Sequence, residues 1–153
     1  MRVRPLQGER TWRPEAQPHR VGGTAAASAK RLHAEANESR SQHENRARAL
    51  RRLRLTIALT LRAPVSLSDY APPATLAAAL VKPPSHRDPA RFPVLAALFD
   101  VLEAAGWRLS DAAARLNVNT AAISRLLAED DAVWRAAAER RVSHDLPSLH
   151  RDD

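Results

Sequence analysis

Arg46, Arg48, Arg51, Arg52 and Arg54 crowd five guanidinium groups into nine consecutive residues, with Arg40 just before them and Arg62 just after. A guanidinium is always protonated, and its planar fork of N–H donors matches the oxygens of a phosphate. The chemistry on offer is polyanion binding. The six histidines, His19, His33, His43, His86, His144 and His150, form no ligand cluster in the sequence. His43-Glu44 is followed at helical spacing by Ala47, not by the second histidine of a zinc-binding HExxH pair. Cysteine is absent, which removes disulfides, thiolate metal sites and cysteine nucleophiles. No metal and no cofactor is expected.

The charge is unevenly placed. The chain of 153 residues has 24 Lys and Arg against 17 Asp and Glu, a net of +7, and Lys30 and Lys82 are its only lysines. Residues 1–62 hold 14 of the basic groups and 5 of the acidic ones, whereas residues 63–153 hold 10 and 12. A GC-rich gene accounts for abundant arginine but not for this asymmetry, so the first half is expected to meet a nucleic acid. Leu55–Leu61, the longest strongly apolar run, is too short to span a bilayer. The first residues show no apolar core of a secretory signal. A cytoplasmic protein without membrane contact is the expectation.

A second nucleic-acid candidate lies near the other end. Asp111–Leu127 has the layout of a helix-turn-helix, with Asn117 suited to a left-handed turn, Thr120 a plausible N-cap, and Val118 and Ile123 facing inward. Its recognition helix offers Thr120, Ser124 and Arg125, then runs into Glu129, Asp130 and Asp131. That acidic sequel is a poor face for phosphates, so DNA reading is disfavoured and a packing module is preferred.

The elements that position these residues follow from pattern. Residues 1–31 show no periodicity and few large apolar side chains, and are expected to be disordered. Residues 32–36 read as a short strand. Ser41 and Glu44 form a capping-box pattern that opens a basic helix over 41–62, ended by Pro64. Leu50, Leu53, Ile57 and Leu61 define its apolar stripe. A Pro-rich connector spans 63–92, with a short helix at Ala74–Val81. A helical domain follows over 93–142: one helix capped by Gly106, then 109–116, 120–128 and 131–141, with Trp107 and Trp134 as core anchors and a tail over 143–153.

Arg40-Ser41-Gln42-His43-Glu44-Asn45-Arg46-Ala47, followed by a basic helix, closely resembles the second half of the catalytic domain of class I peptide chain release factors. The helical part after residue 92 is similar to the extension of short release-factor-like proteins, through Gly106-Trp107, Ala112-Ala113 and Leu116. The resemblance implies a chain that is mainly α, the remnant of an α+β catalytic domain followed by a small helical bundle. It also implies a ribosomal partner, with Arg40, Gln42, His43, Arg46, Arg48, Arg51, Arg52 and Arg54 on ribosomal RNA. The activity implied is hydrolysis of peptidyl-tRNA, by a monomer.

In that family a Gly-Gly-Gln loop places the attacking water. This sequence contains no Gly-Gly-Gln. Gly22-Gly23-Thr24 lies too close to Ser41-Gln42-His43 on the family's spacing, which places the loop at Trp12-Arg13-Pro14 instead. There the codons are informative. Tryptophan has one codon, TGG, and reading one base later turns Trp12, Arg13 and Pro14 into compatible codons for Gly-Gly-Gln. Glu9, Arg10 and Thr11 become compatible with Ser-Gly-Pro, giving Ser-Gly-Pro-Gly-Gly-Gln in the register that spacing requires. Residues 9–31 are therefore read as a one-base-shifted translation of the loop, the alternative being a genuine divergent tail. The expectation is a release-factor-like protein of termination or ribosome rescue, inactive as written. The short stretch before the loop position speaks for codon-independent rescue. A helix-turn-helix regulator and a decayed gene product are the alternatives.

Overall fold

The computed structural model describes residues 32–149. The stretch over 1–31, with the loop position at Trp12-Arg13-Pro14 and the expected disorder, lies outside the described residues, as do residues 150–153. The chain is mainly helical, with six helices and no strand among the described residues: α1 (Gln42–Thr60), α2 (Ala74–Val81), α3 (Arg91–Ala104), α4 (Leu109–Leu116), α5 (Thr120–Ala128) and α6 (Asp131–Ser143). The strand expected over 32–36 is absent. That segment runs irregularly, and a lone strand with no neighbour to share its backbone hydrogen bonds has nothing to hold it.

The central element is α3. Val94, Leu95, Leu98, Phe99, Val101 and Leu102 are all buried, which leaves almost no outer face, so other helices must surround it. Pro93 is tolerated because the first-turn N–H groups have no intrahelical partner. At its far end Gly106 takes the left-handed conformation (φ 57°). The Gly106 N–H donates to Glu103 O at 3.0 Å and the Trp107 N–H donates to Leu102 O at 2.7 Å, a Schellman closure. Trp107 is also left-handed (φ 61°), a cost that its surroundings offset. The side chain is fully buried and stacks edge-on against Phe99, with centroids 5.2 Å apart. Its Nε1 donates to Glu103 Oε2 at 2.7 Å, and its carbonyl accepts from Arg141 at 2.6 Å. Trp134, by contrast, is only half-buried at the rim of the core.

α4 and α5 form the expected helix–turn–helix layout. Asn117 is left-handed (φ 54°), and α5 buries Ala122, Ile123, Leu126 and Leu127. The cap of α5 is Asn119, not Thr120. Asn119 is extended and its Oδ1 accepts from the Ala122 N–H at 2.8 Å, which makes Thr120 the first helical residue. Asparagine ranks above threonine in that role. α2 packs on α3 and α5 through Leu76, Ala79 and Leu80, while α1 lies against α3.

The phase of α1 departs from expectation. The side turned to the core is Leu55, Ala58 and Leu59. Leu50, Ile57 and Leu61 are 46%, 40% and 48% exposed and Leu53 is half-buried, so most of the stripe read from the sequence faces outward. Both stripes have helical spacing, and packing against α3 selects between them.

Candidate nucleic-acid interface

The start of α1 is built by the polar residues of the Ser41–Asn45 motif. Ser41 Oγ accepts from the Glu44 N–H at 3.4 Å, one half of a capping box. The other half is redirected. Glu44 Oε2 accepts from Ser39 Oγ at 2.7 Å, and Ser39 Oγ accepts from the Ser41 N–H at 3.1 Å. Asn45 clamps the same residue through both ends of its amide, donating to Ser39 O at 2.6 Å and accepting from the Ser39 N–H at 2.9 Å. Ser41, Glu44 and Asn45 are thus spent on local structure. Arg40, Gln42, His43 and Arg46 are exposed, and their side chains make no hydrogen bond or ion pair among the described residues.

The arginines of α1 divide by what they touch. Arg46, Arg51 and Arg54 are exposed and carry no partner among the described residues. Arg48 sits between Glu38 at 4.0 Å and Glu44 at 3.8 Å. Arg52 donates to Glu35 O at 2.6 Å and pairs with Glu38, whose carboxyl is held below its ordinary range by that hydrogen bond above all. These pairs lie in solvent, where screening makes them weak and exchangeable for a phosphate. The sequence shows Glu35 and Glu38 but not that the chain doubles back onto the second and third turns of α1.

Arg62 does not belong to this surface. Its guanidinium bonds Asp100 Oδ1 at 2.9 Å, Ala96 O at 3.1 Å and Ala58 O, and lies 5.3 Å from the centroid of the Phe99 ring. Both Arg62 and Asp100 side chains are 14% exposed. Asp100 also accepts from the Ala63 N–H at 3.0 Å, so this cluster fixes the exit of α1 onto α3.

On the α4–α5 pair, Thr120 and Arg125 are exposed and Ser124 is half-buried. The acidic sequel is smaller than it reads in the sequence. Asp130 caps α6 through the Ala132 N–H at 2.8 Å and pairs with Arg91 at 2.6 Å. Burial pushes its carboxyl up, but the Arg91 hydrogen bond, the backbone N–H groups and the Arg91 charge outweigh that and hold it below the usual range.

Among the described residues no three His, Asp or Glu side chains gather as a metal site, and no helix is long and apolar enough to cross a membrane. Comparison with protein-family models, with curated proteins and with solved structures finds no match.

Proposed function

We propose that this chain is a release-factor-like protein that docks on ribosomal RNA through the outward arginines of α1 and, as written, does not hydrolyse peptidyl-tRNA. The observation that carries the reading is the Arg40–Ala47 motif at the head of a helix whose Arg46, Arg51 and Arg54 stand exposed and unpartnered among the described residues. Arg48 adds charge held by surface carboxylates, and Arg52 adds charge held by Glu38 and the Glu35 carbonyl. Such a row binds phosphates at a helical pitch and gives register without base specificity. The exposed Leu50–Leu61 stripe supports the α+β ancestry: helices of such domains lie on a sheet, and here that face is open. The cytoplasm, where ribosomes work, is the compartment this reading implies.

Inactivity follows from local chemistry at the loop position. Pro14 has no N–H to offer, and neither Trp12 nor Arg13 has the backbone range of glycine. The experiment compares peptide release from ribosome-bound peptidyl-tRNA by three versions: the chain as written, the chain with Gly-Gly-Gln at 12–14, and the chain with the full shifted frame restored over 9–31. Only the third is expected to release peptide, because in the second the residues flanking the tripeptide are still out of frame and misplacement of the water alone is costly. Release by the first, or none by the third despite ribosome binding, overturns the reading. The α4–α5 layout keeps a DNA-binding regulator as the second reading. It predicts loss of DNA binding on changing Thr120, Ser124 and Arg125, with no effect of the α1 arginines.

A further inference from the structure

A cleft lies where α1 meets the segment entering α3, lined by Arg51, Arg52 and Leu55 on one wall and by His86, Arg91 and Phe92 on the other. Neither wall makes a site alone, and the sequence gives no hint that they meet.

The two walls differ in chemistry. Arg51 is exposed and has no partner among the described residues. Arg52 is steadied beside it by Glu35 O and Glu38. On the far wall Arg91 is 8% exposed and fully engaged, with Asp130 at 2.6 Å and His86 Nδ1 at 3.2 Å. Asp130 largely cancels its charge, so Arg91 is a strut that fixes the imidazole. The His86 side chain is 59% exposed, and Phe92 is half-buried with the Arg91 guanidinium 5.8 Å from its ring centroid.

A free phosphate uses the arginines but gains nothing from Leu55 and Phe92. A purely apolar ligand strands Arg51. Cations on one wall and rings on the other suit a ligand that joins a phosphate to a flat π-surface. In duplex RNA the base faces are stacked and hidden, so the ligand is an unpaired nucleotide. Resting on the RNA-docking reading above, we infer that this cleft takes one unpaired nucleotide of the bound RNA, its phosphate on Arg51 and Arg52 and its base against Phe92 and His86. The helical bundle thereby becomes part of the RNA-binding surface.

The test uses the full chain and two fluorescent probes, an RNA hairpin with a single-stranded tail and the same hairpin blunt-ended. The wild type should bind the tailed hairpin more tightly. Phe92→Ala should weaken the tailed complex by about five- to a hundredfold, the range of one base–aromatic stack, and leave the blunt one unchanged. Phe92→Leu keeps apolar bulk for folding and should lose the same preference, and Arg51→Gln should lower the salt dependence of the tailed complex by about one ion. AMP should abolish the tail's advantage, and inorganic phosphate should not. Equal binding of both hairpins by the wild type, equal losses on both in the Phe92 variants, or phosphate competing as well as AMP overturns the cleft proposal alone. Binding of neither hairpin overturns it together with the RNA-docking reading.

Discussion

Arg46 and Arg62 stand at opposite ends of one helical segment and do opposite things. Arg46 is exposed and uncommitted among the described residues, while Arg62 is sunk against Asp100, two backbone carbonyls and the Phe99 ring. Three arginines of the bundle repeat the second pattern. Arg91 pairs with Asp130, Arg115 donates to Tyr70 O at 2.8 Å, and Arg141 donates to the carbonyls of Trp107 and Pro147. An arginine-rich composition therefore conceals two populations, one that closes the fold and one that stands exposed to solvent. Total charge does not separate them; the presence of a buried acceptor does.

The comparison is tested most severely at Arg62. Arg62→Ala should cost about 3 kcal/mol, since it strands a largely buried Asp100 carboxylate, and should lower the urea midpoint without changing RNA affinity of the folded fraction. The double variant Arg62→Met with Asp100→Leu should recover much of that loss, because no charge is then left unpaired. RNA affinity that falls in parallel with Arg62→Ala, under conditions where the variant is fully folded, would erase the distinction between the populations.

Asp130→Asn comes next. The amide can still cap α6 but cannot pair with Arg91, and the expected loss is about 2 kcal/mol at neutral pH. The folded-state pKa of Asp130 lies below its ordinary value, so the ionised form contributes in full above the unfolded pKa of about 3.9. That contribution is lost as pH falls through the folded pKa. Unfolding curves of wild type and variant should therefore stay separated from neutral pH to mild acid and converge below about pH 4.

Gly106→Ala provides an uncharged reference in the same bundle. A Cβ there meets nothing within 4 Å, so the whole cost is backbone, about 1 kcal/mol for a left-handed residue. A larger loss in thermal unfolding would show contacts that the geometry does not contain.

The elements were largely legible in the sequence, because local rules govern them. α2 begins and ends where the Pro72-Pro73 and Pro83-Pro84 pairs require, and Gly106 marks the end of α3 through its left-handed φ. What was hidden depends on distant partners. The two apolar stripes of α1 have equal claims until α3 chooses Leu55, Ala58 and Leu59. Arg62 reads as one more surface cation because Asp100 lies far along the chain. The same is true of the site: the outward arginines were named from spacing, whereas Glu38 and the Phe92 wall enter only once the chain has folded back on itself.

The smallest effect on stability and the clearest effect on function belong to the outward arginines. Arg40, Arg46 and Arg54 should all tolerate glutamine within about 0.5 kcal/mol of stability, as surface changes without partners do. The decisive measurement is binding of the wild type and of this triple variant to ribosomes across a salt series. The wild type should weaken steeply and linearly on a log–log plot, and the variant's slope should be shallower by about 0.7–0.9 for each phosphate contact removed, at unchanged melting temperature. Identical slopes, or association that ignores salt, would contradict the claim that the outer face of α1 grips RNA.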